Sequence, residues 1–174
     1  RQRQMCIRDS NTSSSNTALG SQALMANTTG SNNVAAGYNA MMLTTTGSDN
    51  IAIGVEALKS NLTNQQNIAI GTSTLRSSTA NLNVGVGHTA LYNTTTGIQN
   101  IGVSKSLYNN TTGTDNVFVG YSSGMQITTH SYNVGMGTQT LESVDGTGNI
   151  ALGYQAMIGA SGLNNGNYNV ALGY

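Results

Sequence analysis

The sequence predicts an all-β fold, a parallel β-solenoid of about ten rungs of 16–17 residues each. Three observations carry that expectation. The stretch NIAIG occurs twice, at 50–54 and 67–71. Variants of it begin at Asn16, Asn33, Asn83, Asn100, Asn116, Asn133, Asn149 and Asn169, so ten units follow one another at 16 or 17 residues, with a last interval of 20. Within each unit apolar and small residues alternate, which is the period of a strand. A fixed short period marks a stack in which each unit packs on its neighbours.

Each column of the repeat has a physical reading. Column 1 is Asn in all ten units: Asn16, Asn33, Asn50, Asn67, Asn83, Asn100, Asn116, Asn133, Asn149 and Asn169. Stacked Asn side chains can hydrogen-bond from rung to rung, and Asn tolerates a left-handed corner. Column 2 is Val or Ile except for Thr17, and column 4 is aliphatic or Met, with Ala36 the smallest. Columns 2 and 4 therefore share one strand face, and they are expected to be buried. Column 3 is Ala or Gly except at Phe118. That opposite face is expected to approach another strand or another chain closely, with Phe118 marking an outward bulge. Column 5 is Gly at Gly37, Gly54, Gly71, Gly87, Gly120, Gly137 and Gly153, among others, and Ser at Ser104. A stacked Gly predicts a bend with positive φ.

A second half-motif, GxxAL, pairs a small residue with an apolar one. Examples are Ala57–Leu58, Ala90–Leu91, Ser106–Leu107 and Gly124–Met125. VEALKS, at 55–60, could be read alone as helix. So short a helix is marginal in isolation, and a second short strand fits the repeat length better. TTG or GTG at 28–30, 45–47, 95–97, 111–113 and 146–148 supplies a turn. At about 4.8 Å per rung, the stack would form a rod of roughly 45–50 Å. Such thin rungs would profit from a partner, and an oligomer packed through the Ala/Gly column is the expectation.

Composition excludes several classes. Only 7% of residues are charged and the formal net charge is zero, so no footprint for nucleic acid or an anionic membrane exists. Cys6 is the only cysteine, which excludes an intrachain disulfide framework. No apolar run approaches the roughly 20 residues needed to span a bilayer as a helix. Half of the Lys and Arg (Arg1, Arg3, Arg8) lie within residues 1–10. That decapeptide differs from the rest and resembles translated sequencing-adapter sequence. It is set apart as a leader, with residues 11–174 as the repeat domain.

The NxAxG rungs joined to GxxAL resemble the YadA-like head repeats of trimeric autotransporter adhesins. With their TTG turns they also resemble the NTTGxxNxAxG repeats of phage tail fibres. The resemblance covers residues 16–174. It implies a left-handed β-roll, a homotrimer, a location on the bacterial surface or the virion tail, and attachment to a host-surface glycan or protein receptor. The rung is slightly longer than in many adhesin heads. Neck, stalk and anchor are not in the sequence, so the chain is expected to be part of a longer protein.

Candidates for chemistry are few. His88 and His130 occupy different columns, and Asp49, Glu56, Asp115, Glu142 and Asp145 are scattered. Asp49 and Asp115 precede a column-1 Asn, where a turn role is expected. No convergent nucleophile, base and orienting group is visible, so no enzyme is expected, and neither a cofactor nor a metal. Sequons begin at Asn11, Asn27, Asn61, Asn93, Asn109 and Asn110, as the Asn/Thr-rich composition alone produces. Tyr38, Tyr121, Tyr154 and Tyr174 each follow a column-5 Gly and could stack on sugars. Ser21, Val55, Thr72, His88 and Thr138 share that column, which favours plain exposure. The alternative to an adhesive rod is a monomeric ice-binding solenoid. It would need T-x-T in many consecutive rungs, and Thr stands at i and i+2 within the turn only at 44–46 and 94–96.

Overall fold

A computed structural model describes residues 14–143, 145–159 and 166–174; the leader 1–10 lies outside them. Among the described residues are ten three-residue strands, β1 (Thr17–Leu19), β2 (Val34–Ala36), β3 (Ile51–Ile53), β4 (Ile68–Ile70), β5 (Val84–Val86), β6 (Ile101–Val103), β7 (Val117–Val119), β8 (Val134–Met136), β9 (Ile150–Leu152) and β10 (Val170–Leu172). They form one parallel sheet in sequence order, and each column stays in register with itself. The molecule is a β-solenoid. The repeat length sets the register, because a one-residue slip would turn every side chain to the opposite face.

The orientation of the strands reverses the sequence expectation. Column 3 points inward: Ala35, Ala52, Ala69, Phe118 and Ala151 are fully buried. Columns 2 and 4 point outward and remain half-exposed, with Ile53 at 42% and Met136 at 47%. The close approach inferred for the Ala/Gly column is real, but it lies within the chain. A Cβ added at Gly85 would stand 2.5 Å from Cγ2 of Thr74, and one at Gly102 would stand 3.1 Å from Cγ of Leu91. Small residues are needed because the solenoid is thin. The strand packs directly on the turn opposite, whose Met41, Leu58, Leu75, Leu91, Leu107 and Leu141 are fully buried.

That opposite side is a turn, not the second strand expected. Leu24, Met41, Leu58, Leu75, Leu91, Leu107 and Leu141 all have φ between 48 and 54°. The left-handed region costs a non-glycine residue roughly 1–2 kcal/mol. Burial of each Leu or Met side chain, worth about 1.5–3 kcal/mol, offsets it. Rung-to-rung pairing continues through the turn: Met41 N–H donates to Ala57 C=O (3.0 Å), Leu75 to Ala90 (3.0 Å) and Leu91 to Ser106 (3.0 Å). Parallel hydrogen bonding thus persists in a backbone that is not extended. Residues 55–60 belong to this turn, not to a helix.

Phe118 corrects a further expectation. It is fully buried and makes no outward bulge. Its ring fills the space that Leu occupies in other rungs, and the register there moves by one residue. Ser123 and Gly124, not Gly124 and Met125, take the small and Leu positions, since Gly124 carries the left-handed φ (62°) of that site. A Cβ at Gly124 would lie 2.7 Å from the Phe118 ring, and one at Gly135 on the next rung 2.5 Å. Phe with two glycines therefore replaces the Ala–Leu pairing of the other rungs.

The column-5 bend is as expected: Gly37, Gly54, Gly71, Gly87, Gly120, Gly137 and Gly153 have φ between 123 and 139°. Ser104 holds the corner at φ 73° instead. Its rung also has one residue fewer between the corner and Leu107, so the chain turns by a different path.

Candidate functional site: an internal ladder and three surfaces

The column-1 Asn residues line the interior edge of the sheet. From Asn33 to Asn149 they are fully buried. Each Oδ1 accepts the backbone N–H of the next Asn, from Asn33 N to Asn16 Oδ1 (2.9 Å) through to Asn169 N to Asn149 Oδ1 (2.9 Å). Each Nδ2 donates to a turn carbonyl, such as Asn83 to Gly97 (2.9 Å) and Asn116 to His130 (2.9 Å). Several also donate to the Asn one rung back, as Asn100 does to Asn83 Oδ1 (3.2 Å). Buried amides need such partners. The side chain therefore ties sheet to turn and rung to rung. The left-handed residue is the one before it, for example Asp49 (φ 60°) and Asp115 (φ 55°), so these acids do occupy the turn.

The first surface is the outward face of the sheet. Columns 2 and 4 set two parallel files of Val, Ile, Leu and Met along all ten strands. Nine intervals of about 4.8 Å by a strip roughly 10 Å wide give an apolar band of roughly 400 Å² in projection. A continuous band of that size marks an interaction surface, not incidental exposure.

The second surface is the Thr turn. Thr28, Thr45, Thr79, Thr95 and Thr111 each donate their hydroxyl to the main-chain carbonyl of the next rung at 3.0 Å. These hydroxyl hydrogens are spent inside the stack. Sequons at Asn27, Asn61 and Asn110 lie buried at this side, which removes them as glycan acceptors in the folded chain.

The third surface lies on the Leu turn, across the thin core from the sheet. Glu56 Oε1 accepts from Lys59 Nζ (2.6 Å) and Glu56 Oε2 accepts from Arg76 Nε (2.7 Å). Arg76 lies over the Tyr92 ring at 5.7 Å and donates to its hydroxyl (3.3 Å). Tyr92 stacks on Tyr108 with ring centres 5.1 Å apart and planes within 6°. Lys105 lies 5.5 Å from the Tyr108 ring and 5.9 Å from that of Tyr121. Sequence reasoning missed this file. The signal was available: the residue after each core Leu is Lys59, Arg76, Tyr92 and Tyr108 in four consecutive rungs.

Hydrogen bonds from Lys59 and then Arg76 hold the Glu56 carboxyl down at about 2, and Glu56 in turn raises Arg76. A depressed carboxylate contributes stability above its unfolded value near 4.5, and that contribution is lost as pH falls toward 2. The triad is partly solvated, so about 1 kcal/mol is expected. Acid titration of the unfolding midpoint should show this loss, and Glu56→Gln should flatten the curve in that window.

The remaining candidates do not converge. His88 is exposed beside Thr89, and the His130 main chain serves the Asn ladder. Tyr38, Tyr121 and Tyr154 are each more than half exposed, and Tyr154 stacks on Tyr174 at 5.7 Å. Among the described residues no group of three or more His, Cys, Asp or Glu could hold a metal ion, and no helix is long and apolar enough to cross a membrane. The fold defines the class: a parallel β-solenoid built on an Asn ladder. No family model, curated protein or solved structure matches the chain.

Proposed function

We propose that the chain is a structural and adhesive rod, a homotrimeric segment of a cell-surface adhesin or phage tail fibre that presents repeated contacts to a host surface. The observation that carries this reading is the unpartnered apolar band of the sheet. Covering Val and Ile columns on three copies would bury the band against its own equivalents, since a repeat stacked in register presents the same strip at every level. The trimer then packs through columns 2 and 4, not through the Ala/Gly column. Trimeric presentation multiplies weak surface contacts through effective concentration. The resemblance of the rungs to adhesin-head and tail-fibre repeats points the same way, and the reading needs no catalytic group, cofactor or metal. It places the segment outside the cell.

The ice-binding alternative is less well supported. It wants a regular, free Thr array, and the Thr file is broken at Leu62 while the other hydroxyls bond within the stack. Sedimentation equilibrium of the chain, alone and fused to a trimeric coiled coil, tests the rod reading. A β-rich trimer is expected in at least one form. A folded monomer in both would refute it.

A further inference from the structure

Every Lys and Arg beyond residue 10 (Lys59, Arg76 and Lys105) stands in the file on the Leu turn. In a chain so poor in charge, this clustering is the one strong electrostatic feature of the described surface. Lys59, Arg76 and Lys105 against Glu56 leave a net charge of +2 (three minus one). Asp49 and Asp115 lie at a different corner, the residue before the Asn ladder, while Glu142 follows Met125 in the file's own column and ends it. Among the described residues, Lys105 has no carboxylate within ion-pair distance. Its ammonium is held by ring faces alone, which leaves its N–H donors unpaired by any anion.

The aromatic members complete the surface. Tyr92 and Tyr108 cover each other's faces and so present edges and hydroxyls, while Tyr121 is 56% exposed. Ring edges, phenol hydroxyls and one accessible ring suit sugar hydroxyls and C–H faces. The cations suit carboxylates. The members follow one another along the solenoid axis, so Arg76 and Lys105 stand two rungs, or about 10 Å, apart. A linear polymer laid along the rod would meet charge, ring, ring, charge and ring in turn.

We propose that the file Arg76–Tyr92–Tyr108–Lys105–Tyr121 is a binding strip for an acidic polysaccharide carrying carboxylate-bearing sugars. It gives the adhesive reading a ligand class and a location, and it rests on that reading only for its biological setting. The strip faces away from the apolar band and stays open in a trimer.

The test uses immobilised polygalacturonate, its methyl-esterified form and dextran sulfate, with the whole 174-residue chain as analyte. Binding to polygalacturonate is expected, with loss on the methyl ester. Lys105→Gln should weaken it about tenfold, equivalent to roughly 1.4 kcal/mol. Tyr121→Ala should weaken it as well, and both variants should keep the parent's unfolding midpoint. No binding to polygalacturonate, or binding indifferent to both substitutions, would overturn the proposal. Equal binding to dextran sulfate would also overturn it, in favour of bare charge attraction. The rod reading is decided by mass in solution, which this titration does not report, so the two can fail separately.

Discussion

Asn83→Ala is expected to destabilise the solenoid by about 3–5 kcal/mol, measured by thermal or denaturant unfolding. Asn83 Oδ1 accepts from Asn100 N–H (3.0 Å) and from Asn100 Nδ2 (3.2 Å). Its Nδ2 donates to Gly97 C=O (2.9 Å) and Asn81 C=O (3.1 Å). Truncation leaves a buried N–H and a buried carbonyl unpaired, each costing about 1–3 kcal/mol. Asn83→Asp separates the two halves of the role. The carboxylate still accepts from Asn100, but it faces the Gly97 oxygen without a proton. Its folded pKa is therefore raised above the unfolded value near 3.9. The unfolded chain loses the proton first, so stability of this variant falls as pH rises from about 4 and levels off above the folded pKa. Destabilisation at pH 7 that is relieved on acidification is the expected signature. An Asp variant as stable as the parent at neutral pH would show that the Nδ2 donors contribute little.

The second large effect is a compensation. Phe118→Ala should cost about 3–5 kcal/mol, because the opposing position is Gly124 and nothing can fill the void. Gly124→Leu alone should also destabilise, since its side chain would enter the Phe118 ring. The double variant restores the Ala–Leu pairing of the other rungs, and Gly124 already has their backbone (φ 62° against 48–54°). It should recover most of the loss, with a coupling of about 2–3 kcal/mol in a double-mutant cycle. Additive losses would mean that Phe118 and Gly124 do not share one space.

The repeat, the strand positions, the Gly bend and the Asn ladder were legible in the sequence because each column is nearly uniform and each has one backbone demand. The inward face was not. Val and Ile outnumber Ala and Gly in hydrophobic weight, and that argues for burying columns 2 and 4. The thinness of the rung decides otherwise: Leu from the turn already fills the interior, so only Ala or Gly fits opposite. Phe118 misleads for the same reason, since its partners Gly124 and Gly135 lie 6 and 17 residues away. The GxxAL turn escaped because leucine in the left-handed region is costly and is accepted here only under burial. The cation–tyrosine file needed rungs aligned on their Leu residues, and the Asn alignment hides it where a rung loses a residue before Leu107.

The central claim is that Val and Ile of columns 2 and 4 form the contact between copies while Ala and Gly form the core. The most direct test is the mass in solution of Ile70→Lys beside the parent chain, with β content recorded on the same samples. Ile70 is 38% exposed on the outward face of β4. The account predicts a trimeric parent and a variant that falls to the monomer mass with its β signal kept. A variant that remains trimeric, or a parent that is already a monomer, would contradict it.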